Sequence, residues 1–182
     1  MRKIHILWVF IALAMLVAGV FGVVHDQISY TFSNEYFTKF KFIQFRLLDD
    51  TVPERLRVAE VGFLASWWMG IPLGALTGVA GFIHPTEQQM RKALLLSLAL
   101  IAGFAMAFAL AGLAYGFAQT TTLDLQNYQG WYLPQNLEHP RNFVCVGYMH
   151  NAAYLGGAAA VPVAWLFHFL RRRSQRPGVG GD

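Results

Sequence analysis

The sequence predicts an all-α fold, a bundle of four transmembrane helices, and three observations lead to it. Of the 182 residues only 13% are charged and 55% are hydrophobic, whereas soluble domains are about 25% charged. Four apolar runs approach or exceed the roughly 20 residues that span a bilayer, and they lie at 4–24, 61–83, 93–117 and 152–169. No linker divides the chain, so we expect one domain over residues 1–172 and a disordered tail over 173–182.

The distribution of charge predicts the orientation of the bundle. If the N-terminus lies in the cytoplasm, the cytoplasmic segments hold eight basic and two acidic residues, and the outer segments hold six basic and eight acidic residues. The positive-inside rule favours this arrangement, with both termini cytoplasmic. Attraction of the basic clusters to anionic lipid headgroups then explains the pI near 9.4. The partner that composition indicates is the lipid bilayer, and a nucleic-acid role has no support.

The first helix is expected over about residues 4–24. Its basic start also fits a signal peptide, but its apolar run of about 20 residues exceeds the usual 7–15, and no small-x-small cleavage site precedes His25. We therefore expect a retained helix. The single cysteine, Cys145, excludes an internal disulfide framework and a Cys-x-x-Cys redox pair.

Three further helices complete the predicted bundle, at about 52–83, 87–117 and 142–172. Thr86 and Gln89 form a capping-box pattern before the third helix, and Pro72 is expected to kink the second. Small residues that permit close helix packing recur in the second and fourth helices. They are Gly70, Gly74, Gly78, Gly156 and Gly157.

An aromatic-rich outer segment, residues 25–51, joins the first two helices. Tyr30 and Phe32 belong to an alternating, strand-like pattern, whereas Phe37 and Phe40 have a helical spacing. Both conformations stay open at this point. The rings among lysine and arginine are typical of an interfacial segment that lies on the membrane or caps the bundle, and a lid over a ligand is the alternative. The second outer segment, residues 118–141, is polar and irregular.

A polar cluster is expected where three helix ends meet the outer boundary of the membrane. Its candidate members are His25, Asp26, Glu60 and His150. Supporting polar groups at the same level are Tyr30, Gln119, Asn151 and Tyr154. Imidazole and carboxylate groups are ligands for divalent transition metals, and a histidine–carboxylate pair also suits acid–base work. The simpler interpretation is that these groups cap or hydrogen-bond neighbouring helix ends.

Three functional hypotheses follow from the sequence. The first is an interaction or accessory protein whose glycine-rich faces pack helices within the chain itself or against a larger complex, the partner then being another membrane protein or a second copy of the chain. The second is a metal-dependent membrane enzyme with an outward-facing site, which requires at least three of the four cluster side chains to converge within metal-bonding reach. The third is a lipid- or quinone-binding module. No charged residue lies near the middle of an expected helix, which argues against a stand-alone secondary transporter.

Two segments carry a resemblance to a known group of proteins. The stretch at 25–37, His-Asp-Gln-Ile-Ser-Tyr-Thr-x-Ser-x-Glu-Tyr-Phe, and the stretch at 150–157, His-Asn-x-x-Tyr-Leu-Gly-Gly, resemble a signature of small bacterial multi-pass membrane proteins. The resemblance covers about a quarter of the chain. It implies a bacterial inner-membrane location and carries no activity, cofactor or catalytic residue.

Overall fold

The computed structural model describes residues 2–175, so positions 176–182 of the expected tail lie outside the described residues. All regular structure within the described part is helical. The α-helices are α1 (Lys3–Phe32), α2 (Phe42–Phe45), α3 (Glu54–Ser66), α4 (Gly70–Ala80), α5 (Glu87–Gln119) and α6 (Pro140–Ser174). Four stretches are long and apolar enough to cross a membrane, namely Lys3–Phe32, Glu54–Ile83, Glu87–Gln119 and Pro140–Ser174. The prediction of an all-helical chain with four candidate membrane spans is confirmed.

Helix α1 continues for eight residues beyond its predicted end at Val24. The prediction is wrong because the polar residues that follow the apolar run continue the helix and do not start a loop. Gly22, His25, Asp26 and Ser29 are all buried in α1, and their spacing of three and four places them on one helix face. Polar side chains on that face point into the bundle rather than into water, so the helix continues past the end of the apolar run.

The second membrane span is made of two α-helices joined by a single turn of 3-10 helix at Trp67–Met69. The cause is Pro72, which has no N–H to donate to the carbonyl of Trp68 four residues earlier and whose ring crowds that carbonyl. The span begins at Glu54 rather than at residue 52, and Pro53 precedes it without a side-chain cap. A second 3-10 turn, Gly81–Ile83, ends the span.

The aromatic part of the segment between α1 and α3, residues 35–45, is helical, which decides between the two patterns left open by the sequence. A π-helical turn at Phe37–Lys41 runs directly into α2. Arg46, with a φ of 58°, then ends this element in the left-handed conformation. The buried rings of this segment pack over the end of the bundle, against Val58 and Val146 among others. We call this end, which also carries residues 120–139, the loop end.

The opposite end of the bundle, here called the terminal end, carries both described chain ends. Thr86 and Gln89 form the predicted capping box at the start of α5. Lys3 at the start of α1 donates to the carbonyl of His84 at 2.6 Å. The His84 ring in turn lies 3.2 Å from the Gln175 amide oxygen beyond α6. Helix α6 itself starts at Pro140 rather than at residue 142, and it ends at Ser174 rather than at 172.

Helix α1 packs closely against α4 through the three glycines of the second span. A Cβ on Gly70 would collide with the α1 backbone beside Ala14. A Cβ on Gly74 would lie 2.9 Å from the Ala14 Cβ, and one on Gly78 would lie 2.9 Å from the Phe10 ring. The three glycines therefore lie on the face that contacts α1, where their small size lets the two helices approach.

Helices α5 and α6 form a second close pair. A Cβ on Gly112 would lie 2.7 Å from a backbone oxygen of α6, and one on Gly156 would lie 3.1 Å from the Ala105 Cα. Gly157 differs, since a Cβ there would meet only Leu73 of α4, at an ordinary 3.8 Å. The bundle is thus two tightly packed pairs, α1 with α3–α4 and α5 with α6, with a looser contact between them.

Candidate metal centre

The site begins with two adjacent residues of α1, His25 and Asp26. Each is only 4% exposed. The His25 Nδ1 lies 2.9 Å from Asp26 Oδ1, and because a carboxylate only accepts, Nδ1 is assigned as the protonated nitrogen that donates. In the neutral ring this leaves a lone pair on Nε2. That nitrogen is buried and has no hydrogen-bond partner in the described structure.

Helix α6 brings His150 to the same carboxylate. Its Nε2 lies 3.9 Å from Asp26 Oδ1, and its side chain is 11% exposed. This nitrogen is also buried without a partner among the described residues. The His25 and His150 rings meet edge to face, with centroids 4.6 Å apart. One ligand atom from each of His25, Asp26 and His150 lies within 4.8 Å of the other two, so three of the four candidate side chains come together.

Glu60, the fourth candidate, is not in this group. Helix α3 buries Val58, Val61 and Gly62 and leaves Glu60 exposed to the surroundings. The expectation that Glu60 joins the cluster rested on its depth along the span alone. Depth was a poor guide because the inward face of α3 is set by these three residues, which leaves Glu60 outside the interface.

The four supporting residues are placed differently from one another. Gln119 and Asn151 are exposed. The Tyr30 hydroxyl donates to the Glu54 carboxylate instead of to a cluster histidine. Tyr154 is 52% exposed and also lines the cavity that begins at the cluster. Of the four, only Tyr154 therefore lines the space into which the cluster opens.

Two residues of the π-helical turn region complete the site, and the sequence did not indicate them. Tyr36 stacks on the His150 ring with centroids 4.7 Å apart and planes at 22°. Lys41 lines the same cavity as Asp26, and its ammonium lies 4.7 Å from the centre of the Phe40 ring. Burial lowers the pKa of Lys41, and the charge of Asp26 partly offsets this. Burial also raises the pKa of Tyr36, which keeps its hydroxyl protonated.

An apolar cavity of about 110 Å³ extends from the cluster toward the middle of the bundle. It lies between the two helix pairs, and all four membrane spans line it. Toward the terminal end it is closed by a packed core of α1 and α5 that includes Phe10, Met90 and Leu94. Toward the loop end it reaches His25, Asp26 and Lys41. The cavity is therefore mostly apolar along its length, where Ser66 and Thr77 are the polar lining residues, and it is strongly polar at one end.

The geometry suits metal binding. Two ligand atoms at about 2.0–2.2 Å from one ion are at most about 4.4 Å apart, so the separations here need side-chain shifts of only a few tenths of an ångström. An ion held by His25 Nδ1, Asp26 and His150 Nε2 would take the place of the proton between His25 and Asp26. Without an ion, the His25–Asp26 pair would be a buried proton acceptor.

A second pair of buried histidines lies at the terminal end, far from the cluster. His84 Nε2 lies 3.0 Å from His168 Nδ1, and both residues are 0% exposed. Burial lowers the pKa of His84; the Gln175 hydrogen bond opposes this effect, and the charges of Arg171, Arg172 and Lys3 reinforce it. A histidine whose pKa is lowered in the folded protein stabilises the fold while its ring is neutral in both the folded and the unfolded state. Its contribution is complete above about pH 6.5 and falls as the pH drops below that value.

We therefore expect the terminal end to loosen in mild acid. Amide hydrogen exchange of the peptide around His84, corrected for the intrinsic rate, should be several-fold faster at pH 5.5 than at pH 7.5. In His84→Gln the difference between the two pH values should shrink. The variant His139→Gln, which changes an exposed histidine, should behave like the wild type. Equal pH dependence in His84→Gln and the wild type would contradict the assignment.

Comparison of the chain with models of known protein families, with curated proteins and with solved structures found no match.

Proposed function

We propose that this chain is a membrane metalloprotein that binds one divalent transition-metal ion through His25, Asp26 and His150. The observation that carries the proposal is the approach of one ligand atom each from His25, Asp26 and His150 to within 4.8 Å of one another, with the Nε2 of His150 buried and without a partner among the described residues. A buried polar atom without a partner costs about 1–3 kcal/mol, and native proteins keep few of them. A bound ion would give the His150 nitrogen a partner, and it would take the place of the proton that His25 Nδ1 shares with Asp26.

The donor set narrows the class of ion. Two imidazoles and one carboxylate suit Zn²⁺, Fe²⁺, Mn²⁺ and Cu²⁺ rather than Ca²⁺ or Mg²⁺, which prefer oxygen ligands. With three protein ligands, an ion of this class keeps at least one position open. Such an ion supplies Lewis-acid chemistry and lowers the pKa of bound water. Metal-dependent catalysis is therefore the form of activity that we propose for the site.

The charge pattern supports a location for the site. The excess of lysine and arginine at the terminal end favours cytoplasmic termini, which puts the loop end and the metal centre at the periplasmic side of a bacterial inner membrane. The bilayer is the first partner in this arrangement. The glycine-rich face of the second span, which suggested an accessory protein, packs against α1 of the same chain through Gly70, Gly74 and Gly78. A membrane-protein partner or a second copy would have to bind elsewhere on the lipid-facing surface.

Elemental analysis of the purified protein tests the proposal. The protein should be prepared with an affinity tag that contains no histidine, supplied in turn with zinc, iron, manganese and copper, and passed over a desalting column. We expect about one ion per chain for at least one metal. The double variant His25→Ala/His150→Ala should lose more than about tenfold in affinity, because removing even an orienting group costs 10–100-fold.

The control for this experiment removes two other histidines. His5 and His139 are exposed, so His5→Ala/His139→Ala should keep the full metal content. His150→Gln serves as a milder variant if the double alanine variant unfolds in a thermal melt. A well-folded wild type that retains none of the four metals would contradict the proposal, and so would a double variant that retains them all.

A further inference from the structure

The cavity below the cluster is formed by small side chains on all four spans. Ala18, Ala65, Gly74, Ala102 and Gly157 are among its lining residues. The apolar walls of such a cavity lack dispersion contacts on the side that faces the open space. Small residues stand at positions where larger apolar side chains would fill the space, and they keep the cavity open. Such a cavity suits an apolar ligand.

The length of the cavity matches one leaflet of a bilayer. It extends along α1 from His25 to Ala14, which is eleven residues or about 17 Å at 1.5 Å per residue. The hydrocarbon core of a bilayer is about 30 Å thick, so one leaflet is about 15 Å deep. A single hydrocarbon chain with its polar head at the cluster therefore spans the cavity from one end to the other. Because the cavity of about 110 Å³ is smaller than the volume of such a chain, part of the chain surface stays outside it, on the lipid side.

The cavity also has a lateral opening toward lipid. Tyr154 lines the cavity although it is 52% exposed. One helical turn further, Gly157 approaches α4 only at the ordinary distance of 3.8 Å, at Leu73. The looser contact between the two helix pairs thus lies beside an exposed lining residue, and a chain can enter here from the membrane without crossing water.

The polar end determines what kind of head is bound. With a divalent ion in place, the charges of the ion and Lys41 exceed that of Asp26 by two, and all three face the same cavity. An anionic oxygen group offsets this excess and can occupy the open position on the ion. Transfer of a chain from the bilayer into the cavity brings no hydrophobic gain, because lipid tails are as apolar as the cavity walls, so new dispersion contacts with the walls are what favours the chain. Selectivity must therefore come from the head.

We propose that the cavity binds one chain of a single-chain amphiphile, with an anionic carboxylate or phosphate head at the metal centre beside Lys41. The placement of the head rests on the proposed metal site, whereas the binding of the chain does not. This arrangement makes a long-chain lipid with an anionic oxygen head the substrate class of the proposed activity.

Photo-crosslinking in phosphatidylcholine nanodiscs tests whether the cavity binds such a chain. The probe is a palmitate with a diazirine in the middle of its chain, and labelled peptides are identified by mass spectrometry. We expect labels on lining residues of α1 and α5, such as Val17, Leu98 and Ile101. Unlabelled palmitate or a lysophosphatidic acid should displace the probe, which identifies the head as carboxylate or phosphate. Acetate and inorganic phosphate at the same concentration should not.

Paired variants locate the chain. Ala18→Phe and Ala102→Phe put a ring into the cavity and should lower labelling by about tenfold or more. Ala12→Phe and Ala107→Phe make the same change on the exposed faces of α1 and α5 and should leave labelling unchanged. Labelling that is equal in all four variants would overturn the proposal.

Metal content measured on the same samples separates the two proposals. Chelation should weaken labelling at least several-fold if the head lies on the ion. Labelling of the cavity in a protein that retains no metal would support the chain and overturn the metal centre and the head assignment together. A metal-loaded protein whose lining residues are not labelled would overturn the chain and leave the metal centre standing.

Discussion

Replacing Glu35 by glutamine is expected to destabilise the protein by about 2–4 kcal/mol, because this carboxylate holds the start of α6. Its two oxygens accept from the backbone N–H groups of Glu138 at 2.9 Å and of His139 at 2.7 Å. Lys39 donates to it at 2.5 Å. A helix start exposes unpaired N–H groups and a partial positive charge, and Glu35 supplies both the acceptors and the charge from a distant segment. Glutamine offers one acceptor and turns an NH₂ group toward the other N–H.

Unfolding in detergent by increasing amounts of sodium dodecyl sulfate measures this loss. Glu138→Gln is the matched control, because that carboxylate is 80% exposed and lies 3.7 Å from the same lysine. Exposed ion pairs contribute about 0–1 kcal/mol, so the control should stay close to the wild type. Equal stability of the two variants would show that Glu35 does not anchor α6.

The same residue predicts a dependence on pH. Burial alone would raise the pKa of Glu35, but the hydrogen bonds from Lys39, Glu138 and His139 outweigh it and the pKa is lowered below 4.5. A carboxyl with a lowered native pKa stabilises the fold above its unfolded value, and the contribution is lost as the pH falls through the native value. The wild type should lose this stability below about pH 4.5, and Glu35→Gln should lack this part of the acid transition.

Glu35 also links folding to the proposed metal centre. The next residue, Tyr36, stacks on His150, so a loose start of α6 and a displaced Tyr36 disturb a ligand from two sides. We therefore expect Glu35→Gln to bind metal more weakly although it removes no ligand. The site depends on contacts between residues about a hundred positions apart, such as Glu35 with Glu138 and His139.

Sequence patterns predicted the parts of this molecule that local chemistry determines. An apolar run of sufficient length has to form a helix in lipid, because its backbone groups have no other partners there. The capping box at Thr86 and Gln89 is equally local, since both hydrogen bonds close within one turn. The four spans and the start of α5 were therefore predictable from the chain alone.

The candidate site was predictable only in part, and the errors in its prediction have one cause. The depth of a polar residue along a span does not determine whether it faces inward. His25 and Asp26 looked like the start of a loop, although their spacing with Gly22 and Ser29 was a helical signal for a buried face. Glu60 looked equivalent at its depth, yet its neighbours in α3 set the opposite face. Lys41 reaches the site because the π-helical turn folds back over the bundle, which no local pattern in the aromatic segment indicates.

Replacing Gly62 by leucine is expected to have the largest effect on the bundle, a loss of about 3 kcal/mol or more. A Cβ on Gly62 would lie 2.6 Å from the Gly22 carbonyl carbon and 2.8 Å from the Val23 backbone nitrogen. These atoms belong to the backbone of α1, so no side-chain rotation can make room. The two helices have to move apart along the contact that also positions His25 and Asp26.

Gly103→Leu is the matched control for this substitution. A Cβ on Gly103 of α5 has nothing within 4 Å, and leucine is a better helix former than glycine by up to about 1 kcal/mol, so this variant should be as stable as the wild type or slightly more so. Gly62→Leu should lower both the unfolding free energy and the metal content, because the face of α1 that separates from α3 at Gly22 carries two ligands one turn later. Retention of full metal binding by a destabilised Gly62→Leu would separate packing from the site, and it would show that the ligands keep their positions without the α1–α3 contact.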